Sequence, residues 1–255
     1  AYIPQLTFTG GEPTKRDDLL ELIDYAKWFI TRLNTNGVLL TKDLCHKLYE
    51  ASLDSVQITF YSSKAEEHNK LVGANNFEKT VEGIKNAIEA GLSVSINTPL
   101  CTINKDYVET LKFLKDLGVK YVTCSGLIVT GNAKTEESKE TQLSEDELYE
   151  ILKQAKQFTD ENLMEISFTS PGWIKEEKLK AINLNIPSCG ACLSNMAIAP
   201  DGEVVPCQSW LGKDAGLGNM LKTKWDKIWN HPRCKKIRKN SAKMEGKCPL
   251  KGGEC

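Results

Sequence analysis

The sequence predicts an α/β protein built on a parallel sheet, followed by a small cysteine-rich module of β-hairpin and helix. Three observations lead there. Short β-rich runs alternate with amphipathic helical stretches over roughly the first half of the chain, glycines follow the last apolar position of two of those stretches, and six of the nine cysteines fall within residues 189–255. Alternation of period-two and period-3.6 patterns argues repeated βα units, whose strands run parallel. A glycine just past a helical stripe is the expected left-handed stop.

Residues 5–9 read as the first strand, and Leu19, Leu22, Ile23 and Ala26 then form one apolar stripe. Residues 30–35 make the next strand, followed by a helix over 41–51 with Leu44 and Leu48 inward. Residues 55–61 lead through a polar loop to a helix carrying Phe77, Val81, Ile84 and Ile88, closed by Gly91. Residues 92–97 lead to a helix with Val108, Leu111, Leu114 and Leu117, closed by Gly118, and 119–124 give the fifth strand. Ser144 and Glu147 form a capping box ahead of Leu148, Ile151, Leu152 and Ala155, and 164–169 read as one more strand. Near residue 186 the character changes. Residues 196–199 and 203–206 flank Pro200-Asp201-Gly202 as a β-hairpin, and Trp225, Ile228, Trp229 and Ile237 mark one or two short helices. Two domains are therefore expected, over 1–185 and 186–255.

The 255 residues are 40% hydrophobic, enough to bury a sizeable core. A net charge of −1 gives no general pull toward nucleic acid or a membrane. No apolar run approaches the roughly 20 residues of a membrane span, and no signal-peptide pattern is present, so the expected setting is cytoplasmic. The charge is uneven: residues 135–161 hold nine acidic and three basic side chains, and 213–255 hold twelve basic and four acidic ones. Two solvated surfaces are the first reading. The second is that the basic tail offsets the charge of thiolate-bound clusters or guides an acidic partner.

Chemistry-bearing residues cluster at strand ends. Gly10-Gly11-Glu12-Pro13 follows the first strand, where two glycines permit close backbone approach and Glu12 offers an anionic acceptor for an ammonium group. Asn34-Thr35-Asn36-Gly37 ends the second strand; Gln57-Ile58-Thr59, then His68, Gly73 and Phe77, follow downstream, and Asn97 ends a later strand. In combination these resemble the S-adenosylmethionine site of radical SAM enzymes. The resemblance spans essentially the whole chain and implies a partial (β/α)6 TIM-like barrel. It assigns Gly10, Gly11 and Glu12 to the methionine amino group, Thr35 and Asn36 to the same mouth, Thr59 to the small hydroxyl position of the family's fourth strand, and Asn97 to the ribose. Independently, period two puts Gln57, Thr59 and Tyr61 on one face and Val56, Ile58 and Phe60 on the other, as a polar lumen requires.

The tail extends the likeness. Cys192, Gly202 in the hairpin turn and Cys207 resemble the opening of the SPASM domain, an auxiliary iron–sulfur module, and the hairpin would bring the two thiols together. Cys189, Cys192 and Cys207 are the expected 4Fe–4S ligands, with Cys255 as first choice for the fourth and Cys248 belonging to the same terminal group. One auxiliary cluster, as in a twitch domain, and two both stay open, since Glu245 stands at one expected cysteine position. Cys234, in a helical run over 231–239, reads first as a buried thiol and second as a ligand. Zinc at four cysteines is a further alternative. The family's Cys-x3-Cys-x2-Cys motif, which holds the catalytic cluster after the first barrel strand, does not occur here. Residue 1 falls inside what would be the second strand, so the first strand and the motif are expected upstream; a degenerate protein without the motif is the alternative.

No catalytic residue is identified. Cys124, near the end of the fifth strand, and Cys101, after the fourth, are weak candidates for a hydrogen donor facing the site, while Cys45 reads as packing and His68 as structural. The resemblance implies an enzyme that generates a 5′-deoxyadenosyl radical and modifies a peptide or protein side chain, as in ribosomal-peptide or sulfatase maturation. Cofactor biosynthesis of the haem-like or molybdopterin kind is the second enzyme reading, and a non-catalytic iron–sulfur electron carrier or binding protein is the rival class. The implied partners are a peptide or small-molecule substrate and a flavodoxin- or ferredoxin-type electron donor.

Overall fold

A computed structural model of the protein describes residues 4–127, 141–212 and 214–243. Six strands form one parallel sheet in the order of the sequence: β1 (Gln5–Phe8), β2 (Ile30–Thr35), β3 (Ser55–Thr59), β4 (Ser93–Leu100), β5 (Tyr121–Gly126) and β6 (Glu165–Phe168). Helices α1 (Leu19–Tyr25), α2 (Lys42–Glu50), α3 (Ala65–Val72), α4 (Phe77–Glu89), α5 (Tyr107–Asp116) and α6 (Glu145–Glu161) lie between them in the chain. The sheet and its helices, through Phe168, make one compact unit, and the chain from Thr169 makes another. Among the described residues no helix is long and apolar enough to cross a membrane.

The two faces of the sheet differ in chemistry. Burial alternates residue by residue along β2 to β5, as the pleat dictates. Leu33, Val56, Ile58, Phe60, Ile96 and Val122 are buried with Ile23, Leu48, Ile84, Leu111, Leu114, Leu148 and Leu152 of the helices. Residues of the opposite face, among them Asn34, Gln57, Thr59, Ser95, Asn97 and Thr123, stay half-exposed. Helices on one face and a polar second face make the wall of a partial (β/α) barrel, with the polar face as its lumen. The expected fold class is therefore observed.

One helix of the sheet unit departs from the sequence reading, as does the helix Glu176–Ala181 of the second unit, for which no pattern was read. The polar stretch expected as a loop after β3 contains α3, whose only buried residue is His68 and which stops at left-handed Gly73. A helix with a single buried contact carries no apolar stripe for periodicity to detect. His68 is structural, as expected. Its ring lies 4.9 Å from that of Phe60 and 5.7 Å from that of Phe77, and its Nδ1 accepts the Tyr61 N–H at 3.3 Å. Burial holds its pKa below the ordinary 6.5, with Asn76 opposing. The folded state thus binds fewer protons than the unfolded chain at mildly acid pH, so stability is full above 6.5 and is lost as pH falls toward the depressed value. The loss is expected to reach at most about 1.4 kcal/mol per pH unit. Urea midpoints between pH 7.5 and 5.5 should fall more steeply for the wild type than for His68→Gln; parallel slopes would count against this role.

The second unit holds α7 (Glu176–Ala181), the hairpin β7 (Ala197–Ile198) and β8 (Val204–Val205), then α8 (Trp225–Trp229) and α9 (Pro232–Ser241). The hairpin pairs Ala197 with Val205 and Ile198 with Val204, and its turn is closed by Gly202 N–H to Ala199 O at 2.9 Å. Two small apolar clusters hold it together. One comprises Cys192, Val204, Leu217, Ile228 and Cys234, with Met196, Trp225 and Ile237 packed on it. The other joins Val205, Trp210 and Ala215 to Ala197, Cys207 and Ile237.

Candidate functional site

At the carboxyl ends of β1 and β2, Glu12 ties two strand ends together. Its Oε1 accepts from Thr14 N at 3.0 Å, from the Thr14 hydroxyl, and from Thr35 Oγ1 at 2.7 Å; Oε2 accepts from Asn36 N at 2.8 Å. Thr35 Oγ1 in turn accepts the Gly37 N–H at 3.1 Å. Oε2 carries one donor and retains acceptor capacity, since an ionised carboxylate offers about four acceptor positions. Gly10 and Gly11 precede it, and a Cβ at either would meet nothing within 4 Å. The turn is open space beside a fixed negative charge.

Helix α4 supports the β2 end from beneath with residues at helical spacing. Thr80 Oγ1 donates to Asn36 O at 3.2 Å, and Asn86 Nδ2 donates to Leu40 O at 2.8 Å. Between them, a Cβ on Gly83 would stand 2.1 Å from Gly37 O. No side chain fits there, so only glycine allows the helix this close to the turn.

The lumen wall is layered by the strand register. Asn34, Gln57, Ser95, Tyr121 and Glu165 lie abreast on neighbouring strands, and Thr59, Asn97, Thr123 and Ser167 form the next layer toward the carboxyl ends. Thr123 Oγ1 donates to Asn97 Oδ1 at 2.9 Å, with Ile96 O at 3.3 Å, and accepts from Gln57 Nε2 at 3.3 Å. Asn34 Oδ1 and Ser95 Oγ are buried here without a hydrogen-bond partner. Arg32, near Ser55 Oγ at 3.3 Å, sits at the amino-terminal edge. Cys124 does not face this wall: it is wholly buried on the opposite face, its sulfur 3.8 Å from Ser167 O, and burial raises its pKa to about 12. Period two explains this, because Cys124 follows lumen-facing Thr123. Cys101 is buried at the start of the 3-10 turn Thr102–Asn104, its backbone N–H bound to Asn104 Oδ1 at 2.8 Å. Cys124 is therefore turned away from the lumen, contrary to its candidacy as a hydrogen donor there. Cys45 is core, as expected.

In the second unit, Cys189-Gly-Ala-Cys192 forms a tight knuckle. Gly190 O accepts the N–H groups of Leu193, Ser194 and Asn195. A Cβ on Gly190 would lie 2.5 Å from Ser194 Oγ. Cys192 takes a left-handed φ of 54°, a strain that surrounding structure must impose. Its N–H reaches Pro206 O at 3.1 Å, so the hairpin brings the Cys192 segment beside that of Cys207. Burial raises the Cys192 thiol to about 12; adjoining Cys234 and then Cys207 add to this, and Arg238 opposes it. Cys189 instead faces Ser241 Oγ at 3.6 Å. Among the described residues, no three metal-ligating side chains surround a single ion position. Cys248 and Cys255 lie outside the described residues.

The Radical SAM superfamily matches residues 1–114, and the SPASM iron-sulfur cluster-binding domain matches residues 189–255. A probable GTP 3′,8-cyclase of Saccharolobus solfataricus is 30% identical over 212 residues, covering 80% of this chain and 67% of the relative. The chain belongs to the radical SAM superfamily. An AdoMet-dependent heme synthase of Oleidesulfovibrio alaskensis is 27% identical over 96% of this radical SAM chain and 66% of its own length. The fold is shared with SuiB of Streptococcus suis (TM-score 0.77, 17% identity, 97% of this chain and 63% of that one). It is shared also with anSMEcpe bound to AdoMet (TM-score 0.69, 17% identity, 93% and 68%). The chain spans about two thirds of the length of these relatives.

Its cofactors are S-adenosylmethionine and 4Fe–4S clusters, and the iron–sulfur match replaces the zinc alternative. The residues present suit both groups. The glycine turn leaves room beside Glu12, and Asn34 and Ser95 offer unmatched polar atoms in the lumen. The tail gathers buried sulfurs of Cys192 and Cys234, with Cys207 beside them. Thr14, Thr80, Gly83 and Thr123 were not singled out in the sequence. For Thr123 the signal existed, since period two places it on the polar face beside Asn97.

Proposed function

We propose that this radical SAM protein modifies a peptide or protein side chain, in the manner of ribosomal-peptide or sulfatase maturation. The observation that carries this reading is a lumen rich in amides and hydroxyls and poor in cations, with Glu165 of β6 as its acidic residue among the described strand positions. Asn34, Gln57, Thr59, Ser95, Asn97 and Thr123 offer amides and hydroxyls, and Arg32, at the far edge, is the one cation among the described strand residues of that face. Amides and hydroxyls match peptide groups, whereas a polyphosphate calls for clustered Arg and Lys. SuiB and anSMEcpe, which share the fold, have been solved with the precursor peptide SuiA and the Kp18Cys peptide. The second reading, cofactor biosynthesis, is favoured by the names of the sequence relatives.

The reading assigns residues 1–185 to the barrel and 186–255 to the auxiliary domain. When bound, S-adenosylmethionine with a reduced catalytic cluster would supply radical chemistry for hydrogen abstraction. Gly10 and Gly11 admit the methionine end of the cofactor, and Glu12 accepts from its ammonium. Thr35 and Asn36 hold the mouth, while Thr59 and Asn97 face the nucleoside. Cys189, Cys192 and Cys207, with the tail's Cys248 and Cys255, are the assigned auxiliary ligands, and a flavodoxin or ferredoxin is the assigned electron donor. The test is 5′-deoxyadenosine formation by the full-length protein under anaerobic reduction, with a precursor-type peptide, GTP or a porphyrin added separately. Stimulation by peptide is expected. Stimulation by GTP or porphyrin alone favours the second reading, and no 5′-deoxyadenosine at all leaves the carrier.

A further inference from the structure

Helix α9 turns one stripe toward the cysteine-bearing segments of the second unit. Cys234 shares an apolar cluster with Cys192, both wholly buried, and Ile237 packs on the cluster that takes in Cys207. Ser241, whose hydroxyl donates to Ala191 O at 2.8 Å, stands against Cys189. Positions 234, 237, 238 and 241 recur at three- and four-residue spacing, so they lie on one helical face.

Arg238 belongs to that face, and its partners are unusual for an arginine. Its Nη2 lies 3.2 Å from Cys234 Sγ and 2.8 Å from Trp229 O, and Nε donates to Cys192 O at 2.9 Å. The guanidinium carbon rests 3.4 Å from the centre of the Trp229 ring. Among the described residues Arg238 makes no ion pair with a carboxylate. A half-buried cation without an anion is costly, and a neutral thiol is a weak acceptor. A thiolate on iron suits these partners better, because it accepts a charge-assisted N–H and sets a negative charge beside a guanidinium that has none among the described residues. A 4Fe–4S cubane takes one thiolate on each of separate irons, so its ligands come from separate segments rather than crowd one point. The 189–192 knuckle, the chain after β8 and α9 are three such segments.

We propose that Cys234 is a thiolate ligand of the auxiliary cluster beside Cys192 and Cys207, with Arg238 the positioning residue that holds that thiolate and balances the cluster's charge. This rests on the auxiliary-cluster assignment above and adds a ligand to it. The full-length protein, reconstituted anaerobically with iron and sulfide, is compared with Cys234→Ala, Cys234→Ser, Cys192→Ala and, as a buried-thiol control in α2, Cys45→Ala. Iron content is expected to fall by about four per chain in Cys234→Ala and Cys192→Ala and to stay unchanged in Cys45→Ala. Near-isosteric Cys234→Ser should lose the same iron or show an altered electron paramagnetic resonance spectrum, and it decides the matter if the alanine variant does not fold. Full iron and an unchanged spectrum in the Cys234 variants, alongside loss in Cys192→Ala, overturn the proposal and leave the auxiliary-cluster reading standing. Retention in Cys192→Ala as well overturns both. Arg238→Gln is expected to lower the cluster's midpoint potential without loss of iron; an unmoved potential removes Arg238 from the proposal.

Discussion

Replacing Glu12 by glutamine is expected to weaken S-adenosylmethionine binding roughly 10- to 150-fold, about 1.5–3 kcal/mol for hydrogen bonds to a charged group. Both carboxylate oxygens are acceptors in the structure, toward Thr14 and Thr35 on one side and Asn36 N–H on the other. An amide can accept on one side only. Its NH2 must then oppose either the Thr14 or the Asn36 N–H, and the ammonium loses its counter-charge. Titration of the full-length anaerobic protein with S-adenosylmethionine measures the change. An unaltered dissociation constant in Glu12→Gln would remove the carboxylate from the cofactor site.

Gly83→Ala should be nearly as damaging, although alanine ordinarily stabilises a helix interior by about 1 kcal/mol over glycine. Here the new methyl would lie 2.1 Å from a backbone carbonyl, that of Gly37, and 3.2 Å from Leu40 Cβ. The helix must retreat, at an overpacking cost of about 1–3 kcal/mol. Retreat also strains the Thr80 and Asn86 bonds that hold the 36–40 loop. A lowered urea midpoint together with weaker S-adenosylmethionine binding is the expected pair of results. A stability gain of the size seen at an open helical position would show that α4 does not brace the mouth.

What could be read from the sequence followed from local periodicity. Strands β2 to β5 and the stripes of α4, α5 and α6 were legible because each buries one regular face. The polar lumen was legible for the same reason, since Gln57 and Thr59 alternate with Val56 and Ile58. Helix α3 was not, having only His68 inside. Gly83 was not either, because a glycine in an amphipathic helix does not reveal which backbone comes against it. The pairing of Cys192 with Cys234 and Arg238 joins residues more than forty positions apart, and no spacing rule encodes it. The hairpin did announce itself, through Pro200-Asp201-Gly202, and with it the approach of Cys207 to Cys192.

The strand order has a consequence for how the chain is made. Every strand of the sheet after β1 hydrogen-bonds to the one before it in the sequence. As the polypeptide leaves the ribosome, each new βα unit after β1 meets an edge that is already made, so each strand from β2 to β6 has one partner waiting when it emerges. Such growth keeps loop closures short and limits the time any edge stands bare in a crowded cell.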